Sequence, residues 1–469
     1  MKPITNICTY AYTPTRSFVS LLCRKPSPIP NSSRESLIPQ DETVDEEACP
    51  GYNPKVFYPA KPGEVLANRY QTLVKVGWGG ESTTWFARNL QGYCWQPESV
   101  VALKIINSYG NPNTETSTIE DNEERQVEQY IDSADTSHPG RAILRTYSDC
   151  FEITGLEGRK HTCLAYEPMR ESFRLFRRRF VDENIPLVLV KIYVQILLEG
   201  LDYLHRVCDV VHTDLKLENI MFTFEDNDVL DNFLSSRIDK PSEPMKYKID
   251  INTGHPIYRC HNDFGPLQSK KLKHNIPKIV DFGHANRFMS KDVFGIYPIQ
   301  AIYYRAPEVI LGCGWRTPAD IWSLGTLLWD ILEGRKLFRH IHDTQGSYDA
   351  KAHLAEMIGL LGPPPPELVK RYHSWRGFKW PETIKQGEKL YDTAEEWFGG
   401  PFFDDDGDFL YPDMIPDRKL ADSLPPCLLV EEEKERVNFL SFVKAMLAWL
   451  PKERKTPREL IEHPFLCEK

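Results

Sequence analysis

Alternating apolar and polar positions in the first third of the chain predict a small β-sheet. The segments Tyr70–Gly80, Glu81–Asn89, Ser99–Ile106 and His161–Met169 each alternate in this way, and a glycine-rich turn joins the first two. Between the last two segments, the charged run Ile119–Ile131 has the spacing of a helix. This part of the chain is therefore predicted to be mostly sheet with one helix.

The later part of the chain has the periodicity of helices. In Pro186–Val207 the apolar side chains recur every three or four residues along one face. Pro318–Gly334 begins with proline and ends with glycine, which favours a helix between them, and Glu435–Leu450 is a third apolar helix. Two polar stretches, about 223–275 and 363–413, lack clear periodicity and are predicted to be insertions.

The bulk composition excludes several classes of protein. The 469 residues suffice for one large domain or for two lobes with a tail, and the net charge of −10 argues against nucleic-acid binding. The 11 cysteines form no CxxC pair and are interpreted as free thiols. No apolar run reaches the roughly 18–20 residues of a membrane span. We therefore expect a monomer that contacts neither nucleic acid nor membrane.

The N-terminal stretch has an unusual charge composition. Residues 1–34 contain no Asp or Glu and five Lys or Arg, as mitochondrial presequences do. Several prolines in the same stretch would break an amphipathic helix, so a disordered tail over residues 1–63 is the preferred interpretation. The expected location is then the cytoplasm and nucleus, with the mitochondrion as the alternative.

A glycine-rich turn and a later lysine are typical of phosphate binding. Gly77 and Gly79 have no Cβ, so their backbone amides can approach phosphate oxygens, although Ser82 replaces the third glycine of GxGxxG. Lys104 lies on the following strand, where its ammonium can pair with the α- and β-phosphates. Taken alone, a plain hairpin and an exposed strand lysine are the simpler explanation.

The segment Val211–Met221, VHTDLKLENIM, carries a stronger pattern. Asp214 can accept the proton of an attacking hydroxyl, and Lys216 can neutralise a transferring phosphoryl group. Asn219 can hold Mg²⁺ through its side-chain carbonyl. A solvated loop does not need these residue types at these offsets after an apolar helix, so the segment is interpreted as catalytic.

Two DFG tripeptides compete for a second metal-binding position. Asp263 is flanked by polar residues, and a proline follows its tripeptide. Asp281 follows the short apolar run IPKIV and precedes Glu308 of an APE tripeptide at a spacing that suits a substrate-binding loop. Asp281 is therefore predicted to bind Mg²⁺, whereas Asp263 is assigned to an insertion.

Together these motifs resemble a eukaryotic protein kinase of the serine/threonine type over about residues 64–467. The match runs from the glycine turn through Lys104, the catalytic segment, DFG and APE to Asp320 and Arg454. The sequences GWGxxSTxW and HTD, and the insertion before DFG, resemble the SR-protein kinase family and its divergent fungal relatives. The resemblance implies transfer of the γ-phosphoryl group of ATP to protein Ser or Thr with Mg²⁺.

The same resemblance implies an architecture and a nucleotide site. It predicts an α+β fold of two lobes, with a β-rich N-lobe at about 64–168 and a large helical C-lobe at about 169–467. ATP would lie in the cleft, with its adenine on the backbone of Glu167 and Met169 behind Tyr166. The other residues predicted to contact the nucleotide or to position its contacts are Val76, Gly77, Gly79, Thr84, Lys104 and Glu124.

Two residues that differ from the usual kinase sequence bear on the regulation of activity and on the rate of phosphoryl transfer. Thr213 replaces the arginine that clamps a phosphorylated activation segment in most kinases, so the family resemblance implies constitutive activity. Ala301 replaces a threonine whose hydroxyl bonds the catalytic Asp and Lys, which predicts slower transfer because such a bond contributes about 1.5–3 kcal/mol. Apolar side chains are expected to hold the segment from Asp281 to Glu308 instead of a phosphate, namely Val293, Phe294, Ile296 and Ile299.

Two ion pairs are expected by analogy with the family. Arg454 should pair with Glu308, and Lys104 should pair with Glu124 of the predicted helix. Glu123 is the alternative partner of Lys104. The Glu124 register places the polar Glu128 where kinases usually have a buried apolar residue.

The expected substrates are proteins with basic or Arg/Ser-rich sequences. Ala301 and Ile302 depart from the family pattern and put the Arg/Ser preference in doubt. The acidic run Asp404–Asp408 would suit a basic substrate, but a solvated loop tip is the commoner explanation. The alternative function is a pseudokinase scaffold, which Ala301, Glu128 and the missing third glycine favour. An active enzyme is preferred because Lys104, Asp214, Lys216, Asn219 and Asp281 are all present.

Overall fold

In a computed structural model of the protein, the described residues are 24–28, 37–108, 123–135, 137–238, 245–429 and 432–467. Their strands are β1 Val65–Leu66, β2 Tyr70–Trp78, β3 Ser82–Asn89, β4 Val100–Ile106, β5 Asp149–Thr154, β6 Lys160–Tyr166, β7 Val210–Val211, β8 Ile220–Phe222, β9 Tyr247–Ile249, β10 Pro256–Tyr258, β11 Pro277–Ile279, β12 Asn286–Arg287, β13 Lys379–Gln386 and β14 Lys389–Thr393. Their helices are α1 Glu123–Ser133, α2 Phe173–Arg177, α3 Leu187–Asp202, α4 Asn227–Ile238, α5 Pro307–Ile310, α6 Pro318–Glu333, α7 Ala350–Leu361, α8 Pro366–Trp375, α9 Ala394–Phe398, α10 Pro426–Leu429, α11 Glu433–Met446, α12 Pro457–Ile461 and α13 Pro464–Cys467. No helix of this part of the chain has the length and apolar character needed to cross a membrane.

The described residues form two compact units. Unit 1 takes them from Met1–Glu115, Asp149–Pro168 and Phe233–His261, and unit 2 from Thr116–Ser148, Met169–Asn232 and Asn262–Lys469. The α+β composition confirms the predicted β-rich and helical parts. However, α1, predicted within the N-lobe, belongs to unit 2, because Ile131 is buried in the large helical core and its carbonyl accepts a hydrogen bond from the Tyr203 hydroxyl at 2.8 Å.

Unit 1 is built on a six-stranded antiparallel sheet with the order β1-β2-β3-β4-β6-β5. One face carries a core in which Trp85, Leu103, Phe151 and Cys163 are buried together. The four predicted strands correspond to β2, β3, β4 and β6. The remaining long strand, β5, lies at the edge and pairs with β6 along its whole length, a contact that its short and partly polar sequence does not indicate.

The structure differs from the predicted disordered tail over residues 37–63. Ile38 and Val44 are buried in a small apolar cluster with Ile257 of β10. The amide of Ile38 also donates a hydrogen bond of 2.8 Å to the carbonyl of Tyr247 on β9. This part of the N-terminal stretch is therefore folded against the insertion, whereas residues 1–23, which carry most of the possible presequence, lie outside the described residues.

A buried lysine joins the same two segments to the sheet. Lys75 of β2 pairs with Asp45 at 3.1 Å and with Glu46, and its ammonium also donates to the carbonyl of Tyr258 at 2.8 Å. An ammonium buried without partners would cost several kcal/mol of solvation, so these contacts are required for Lys75 to be buried. Asp45 and Glu46, which lie in the predicted tail, thus have a structural role.

Unit 2 is organised around α6. Every residue from Ala319 to Leu332 is buried, which is expected only for a helix surrounded by protein on all sides. The predicted helix ends after Glu333 at Gly334, whose φ of +71° favours glycine. The predicted helix Pro186–Val207 is observed as α3 followed by one π-helical turn, and the third predicted helix is α11.

The two insertions contain more regular structure than predicted. The first holds α4 and the hairpin β9–β10, and the second holds α8, α9 and the hairpin β13–β14. The second hairpin contacts the segment from Asp281 to Glu308, here called the activation segment. The Trp380 indole donates to the Ile296 carbonyl at 2.9 Å, and the Tyr297 hydroxyl accepts from the Glu382 amide at 2.9 Å. These contacts with distant residues stabilise strands that have no clear alternation of their own.

Candidate active site

The predicted phosphate-binding residues of unit 1 form one row across the sheet. Gly77 on β2 lies opposite Thr84 on β3, which lies opposite Lys104 on β4. Side chains opposite each other in antiparallel strands share a face, so Thr84 and Lys104 project to the same side. In the adjoining turn the Gly79 amide donates to the Ser82 carbonyl at 2.9 Å, and apart from the neighbouring residues in the chain no atom of the described residues lies within 4 Å of a Cβ built on Gly79. This open space is what close approach of a phosphate requires.

The other predicted nucleotide contacts flank this row. Val76 is half-buried on β2 beside Gly77, and Tyr166, buried at the end of β6, pairs with Ala102 of β4. Glu167 is exposed directly after Tyr166. Met169, the first residue of its segment in unit 2, has a buried side chain.

A buried carboxylate of α6 holds the catalytic segment of unit 2. Asp320 accepts hydrogen bonds from the amides of His212 at 2.8 Å and Thr213 at 3.0 Å. Its Oδ2 also lies 2.8 Å from the ring of His205. Because hydrogen bonds to a charged acceptor are stronger than neutral ones, these contacts fix the backbone immediately before Asp214.

Asp214, Lys216 and Asn219 meet in unit 2 as predicted from their spacing. The Lys216 ammonium lies 2.5 Å from Oδ2 of Asp214. The Asn219 side-chain amide donates to the same carboxylate oxygen at 3.0 Å and to the Asp214 carbonyl at 2.9 Å. Since both bonds use the nitrogen of Asn219, its side-chain oxygen is the atom left to bind a cation.

Strand pairing brings Asn219 close to the residue before Asp281. β8, which begins at Ile220, is antiparallel to β11, which ends at Ile279, and these two residues are opposite each other. The amide of Val280 donates to the Asn219 carbonyl at 3.0 Å. Asp281 follows with a φ of +70°, a strained conformation for a residue with a side chain.

The donor set around Asp281 fits Mg²⁺ bound together with phosphate. A Cβ built on Gly283 would lie 3.7 Å from Oδ1 of Asp281 and 3.7 Å from Oε2 of Glu124. Within the described ranges, no group of three or more His, Cys, Asp or Glu side chains is arranged to hold a metal. Mg²⁺ commonly takes only one or two protein oxygens and completes its shell with water and substrate phosphate, which suits Asn219 and Asp281.

The other DFG tripeptide, which begins at Asp263, belongs to the insertion. The Asp263 side chain is 75% exposed, pairs with Arg179 at 2.9 Å and accepts a hydrogen bond from the Gly265 amide at 3.1 Å. Arg179 also pairs with Glu171, so Asp263 belongs to a structural network of the insertion. The backbone hydrogen bond and the arginine together lower the pKa of Asp263.

The structure accounts for the polar residues of α1. Glu124 is buried, whereas Glu123 is exposed, which favours Glu124 as the functional carboxylate. Glu128 is fully buried, and its carboxylate accepts a hydrogen bond from the Tyr147 amide at 2.7 Å. Glu128 therefore replaces apolar packing with a hydrogen bond to a backbone amide, a role that the sequence alone does not reveal.

Thr213 connects the catalytic segment to the activation segment. It is buried, has a φ of +68°, and its hydroxyl donates to the carbonyl of His284 at 2.7 Å. His284 directly follows the DFG tripeptide of Asp281. The residue that replaces the usual arginine is thus part of a direct contact between the two segments.

An arginine holds the first half of the activation segment. Arg316 pairs with Asp209 at 2.8 Å, donates to the carbonyls of Ser290 and Val293 at 2.7 Å each, and lies 4.5 Å from the ring of buried Phe288. Of the apolar residues predicted to pack this segment, Ile299 packs against the core of unit 2 and Phe294 contacts the ring of Trp375, whereas Val293 is 51% exposed. The segment is therefore held by arginine contacts to its backbone at Ser290 and Val293 and by apolar packing further along the chain.

The end of the activation segment is held by a buried ion pair. Both oxygens of Glu308 lie 2.6 Å from the Arg454 guanidinium, and both side chains are fully buried. Arg454 also donates to the carbonyls of Ala448 and Pro318. The pair expected by analogy is therefore present in the structure.

The acidic run Asp404–Asp408 forms a turn. The Asp404 carboxylate accepts hydrogen bonds from the amides of Asp406 at 3.1 Å and Asp408 at 2.9 Å. Asp404 thus stabilises its own loop, while Asp405, Asp406 and Asp408 are exposed. This arrangement agrees with the interpretation as a solvated loop tip.

Comparisons with known proteins agree with this geometry. The protein kinase domain family matches residues 70–252 and 267–466. A serine/threonine protein kinase of Aspergillus fumigatus is 32% identical, covering 97% of this chain and 99% of its own length. The serine/threonine-protein kinase SRPK of Physarum polycephalum is 28% identical, covering 90% of this chain and 92% of its own.

A solved structure supports the fold independently. The crystal structure of a kinase domain matches with a TM-score of 0.58 at 21% identity, covering 88% of this chain and 99% of that one. At this identity the likeness concerns the fold alone, whereas the family match and the full-length relative carry the assignment. The chain therefore belongs to the protein kinase family and is a serine/threonine protein kinase related to the SR-protein kinases.

Proposed function

We propose that Asp214, Lys216, Asn219 and Asp281 carry out Mg²⁺-dependent phosphoryl transfer from ATP, and that this activity needs no phosphorylation of the activation segment. The observation that carries the proposal is the Asp214 carboxylate, which contacts both the Lys216 ammonium and the Asn219 amide. A scaffold without turnover has no need for a carboxylate that contacts both an ammonium and an amide suited to bind a metal ion.

Each residue has a distinct role in the proposed reaction. Asp214 accepts the proton of the substrate hydroxyl, and its position is maintained by Asp320 through the preceding backbone. Lys216 neutralises charge that develops on the transferring phosphoryl group. Asn219 and Asp281 would hold Mg²⁺, which supplies charge neutralisation at the phosphates when it is bound.

Unit 1 supplies the predicted contacts with the nucleotide phosphates. Lys104 and Thr84 share a face of the sheet, and the glycine turn leaves room beside Gly79. A lysine on such a strand provides a positive charge for the α- and β-phosphates, while the amides of the turn approach the phosphate oxygens.

A transfer assay with radiolabelled ATP and basic protein substrates tests the assignment. Asp214→Ala is expected to lower kcat by about 10²–10⁴-fold, the usual contribution of a general base. Lys104→Met is expected to cut turnover strongly while the circular dichroism spectrum stays that of the wild type. Wild-type protein that binds ATP but transfers nothing to any substrate would favour the pseudokinase scaffold, and a fully active Asp214→Ala variant would exclude the proposed base.

Activity without phosphorylation is supported by three contacts of the activation segment. The Thr213 hydroxyl bonds to the His284 carbonyl, Arg316 is paired with Asp209, and Glu308 is paired with Arg454. In many kinases a phosphate of about −1.5 to −2 charges orders this segment by binding an arginine. Here the guanidinium of Arg316 already has a carboxylate and two carbonyls as partners, so a phosphate is not required to hold it.

Dephosphorylated protein is expected to keep its activity. Ser290 is the only Ser or Thr between Asp281 and Glu308. Protein made in bacteria, treated with phosphatase and carrying Ser290→Ala should therefore transfer phosphate within about twofold of the untreated wild type. The control is Asp214→Ala treated in the same way, and constitutive activity is ruled out if turnover disappears on treatment and returns after phosphorylation of the segment.

A further inference from the structure

Five side chains of unit 2 form a cluster, here called the Asp330 cluster, between the catalytic segment and the end of the activation segment. Lys336 lies 2.8 Å from Oδ1 of Asp330 and 2.5 Å from the hydroxyl of Tyr304. Arg174 lies 2.8 Å from the carboxylate of Glu218. The cluster therefore contains two carboxylates, and each is paired with a cation of the same chain.

The position of the Asp330 cluster is set by elements that belong to the active site. Glu218 lies in the turn Leu217–Asn219, next to Asn219, and Tyr304 ends the turn that follows Ala301. Asp330 lies on α6, the helix whose Asp320 holds the catalytic segment. A substrate placed for transfer by Asp214 would thus pass close to these side chains.

Three members of the Asp330 cluster are partly exposed: the two cations and Glu218, whose side chain is 42% exposed. Asp330 and Tyr304 are buried, whereas the side chains of Lys336 and Arg174 are 32% and 61% exposed. Lys336 also lies over the rings of Tyr303 and Tyr304, at 5.4 and 4.5 Å from their centroids. The exposed partner of the buried Asp330 carboxylate is therefore the ammonium of Lys336.

The Asp330 carboxylate, which pairs with Lys336, is suited to bind a guanidinium. Oδ1 of Asp330 contacts Lys336, whereas its buried Oδ2 has no hydrogen-bond partner among the described residues. Burial raises the pKa of Asp330, and the charge of Lys336 opposes this effect. A carboxylate with one unsatisfied buried oxygen beside a tyrosine hydroxyl can bind a guanidinium through both oxygens, which a single ammonium cannot match.

We propose that Lys336 is a specificity-determining residue that occupies an acidic subsite and excludes basic substrate side chains from it. The proposal rests on the proposed function and narrows its substrate class. At the position facing Asp330, the enzyme selects a neutral or acidic residue, because a substrate Arg or Lys would have to displace Lys336 and would approach Arg174. Arginine repeats that place a basic residue at this position are consequently poor substrates.

Peptide substrates that differ at single positions test the proposal. Serine peptides carrying Arg, Ala or Glu at each position around the acceptor are assayed with wild type and with Lys336→Gln. At the position facing Asp330, the wild type should not prefer Arg to Ala by more than about twofold. In Lys336→Gln the Arg-to-Ala ratio of kcat/KM should rise about tenfold at one position, since the like charge is removed and the carboxylate is released.

Two further variants separate specificity from general effects. The double variant Lys336→Gln/Asp330→Asn lacks the carboxylate as well, so its Arg-to-Ala ratio should return to the wild-type value. Lys452→Gln is the matched control, because Lys452 forms an exposed ion pair with Glu367 on the surface of the same unit, and its ratio should equal that of the wild type. A strong wild-type preference for Arg at the position facing Asp330, or a ratio unchanged at every position in Lys336→Gln, would overturn the proposal.

Binding of the same peptides tests the role of Lys336 independently of catalysis. Fluorescence polarisation of the labelled Arg peptide, measured with proteins that also carry Asp214→Ala, should show at least about fivefold tighter binding after Lys336→Gln. If no protein phosphorylates any peptide, the proposed function fails, yet this measurement still supports or rejects the role of Lys336. Equal affinities with and without Lys336 would reject it.

Discussion

Asp281→Ala is expected to abolish Mg²⁺-dependent turnover, whereas Asp263→Ala should leave it nearly intact. Asp281 follows β11, which pairs with the strand that begins after Asn219, so the backbone places it next to the proposed catalytic segment. Asp263 is exposed and paired with Arg179. Because a metal at a transferring phosphoryl group contributes several kcal/mol, loss of its ligand should lower kcat/KM by at least about 100-fold.

The comparison needs a readout besides catalysis. Titration of Mg²⁺ at fixed ATP, followed by nucleotide binding, should show a weakened metal dependence in Asp281→Ala and an unchanged one in Asp263→Ala. Circular dichroism should show that both variants are folded. Equal losses of activity and of metal dependence in the two variants would contradict the assignment of Asp281.

Glu308→Ala is expected to destabilise the protein by about 3–5 kcal/mol. The substitution leaves the guanidinium of Arg454 buried without its carboxylate, and removing one partner of a buried pair typically has this effect. The remaining hydrogen bonds of Arg454 go to neutral carbonyls, which do not replace the lost charge. Urea unfolding followed by circular dichroism measures the change in the free energy of unfolding of the transition that includes unit 2.

An exposed ion pair of the same unit provides the control. Glu367 contacts Lys452 at 2.6 Å, but both side chains are more than half exposed, so Glu367→Ala should change the free energy of unfolding by no more than about 1 kcal/mol. If Glu308→Ala and Glu367→Ala shift the urea midpoint equally, the buried pair does not have the structural role assigned to it.

Local patterns in the sequence determined much of the fold and of the candidate site. Alternation predicted β2, β3, β4 and β6, apolar periodicity predicted α3, the proline and glycine at its two ends indicated α6, and apolar content indicated α11. The spacing in HTDLKLEN likewise predicted that Asp214, Lys216 and Asn219 act together, and the three side chains are in contact. Such predictions need only residues that are close in the chain.

Other features depend on contacts between distant residues, and only the tertiary structure decided them. The carboxylate of Glu128 bonds to the amide of Tyr147, and Lys75 is buried because Asp45 and Glu46 come from the N-terminal stretch. The expected packing of Val293 failed, since Arg316 from outside the activation segment holds its backbone instead.

The physical reason is the same in each case. Apolar periodicity reports how much surface an element buries, and this can be read from one stretch of chain. The cost of burying a charge or a polar group depends on whether a partner is present, and that partner can come from any part of the sequence. The sequence by itself therefore determined the main strands and helices and the candidate catalytic motifs of this kinase, whereas the tertiary structure decided which buried charges are satisfied, how the insertions fold and how the activation segment is held.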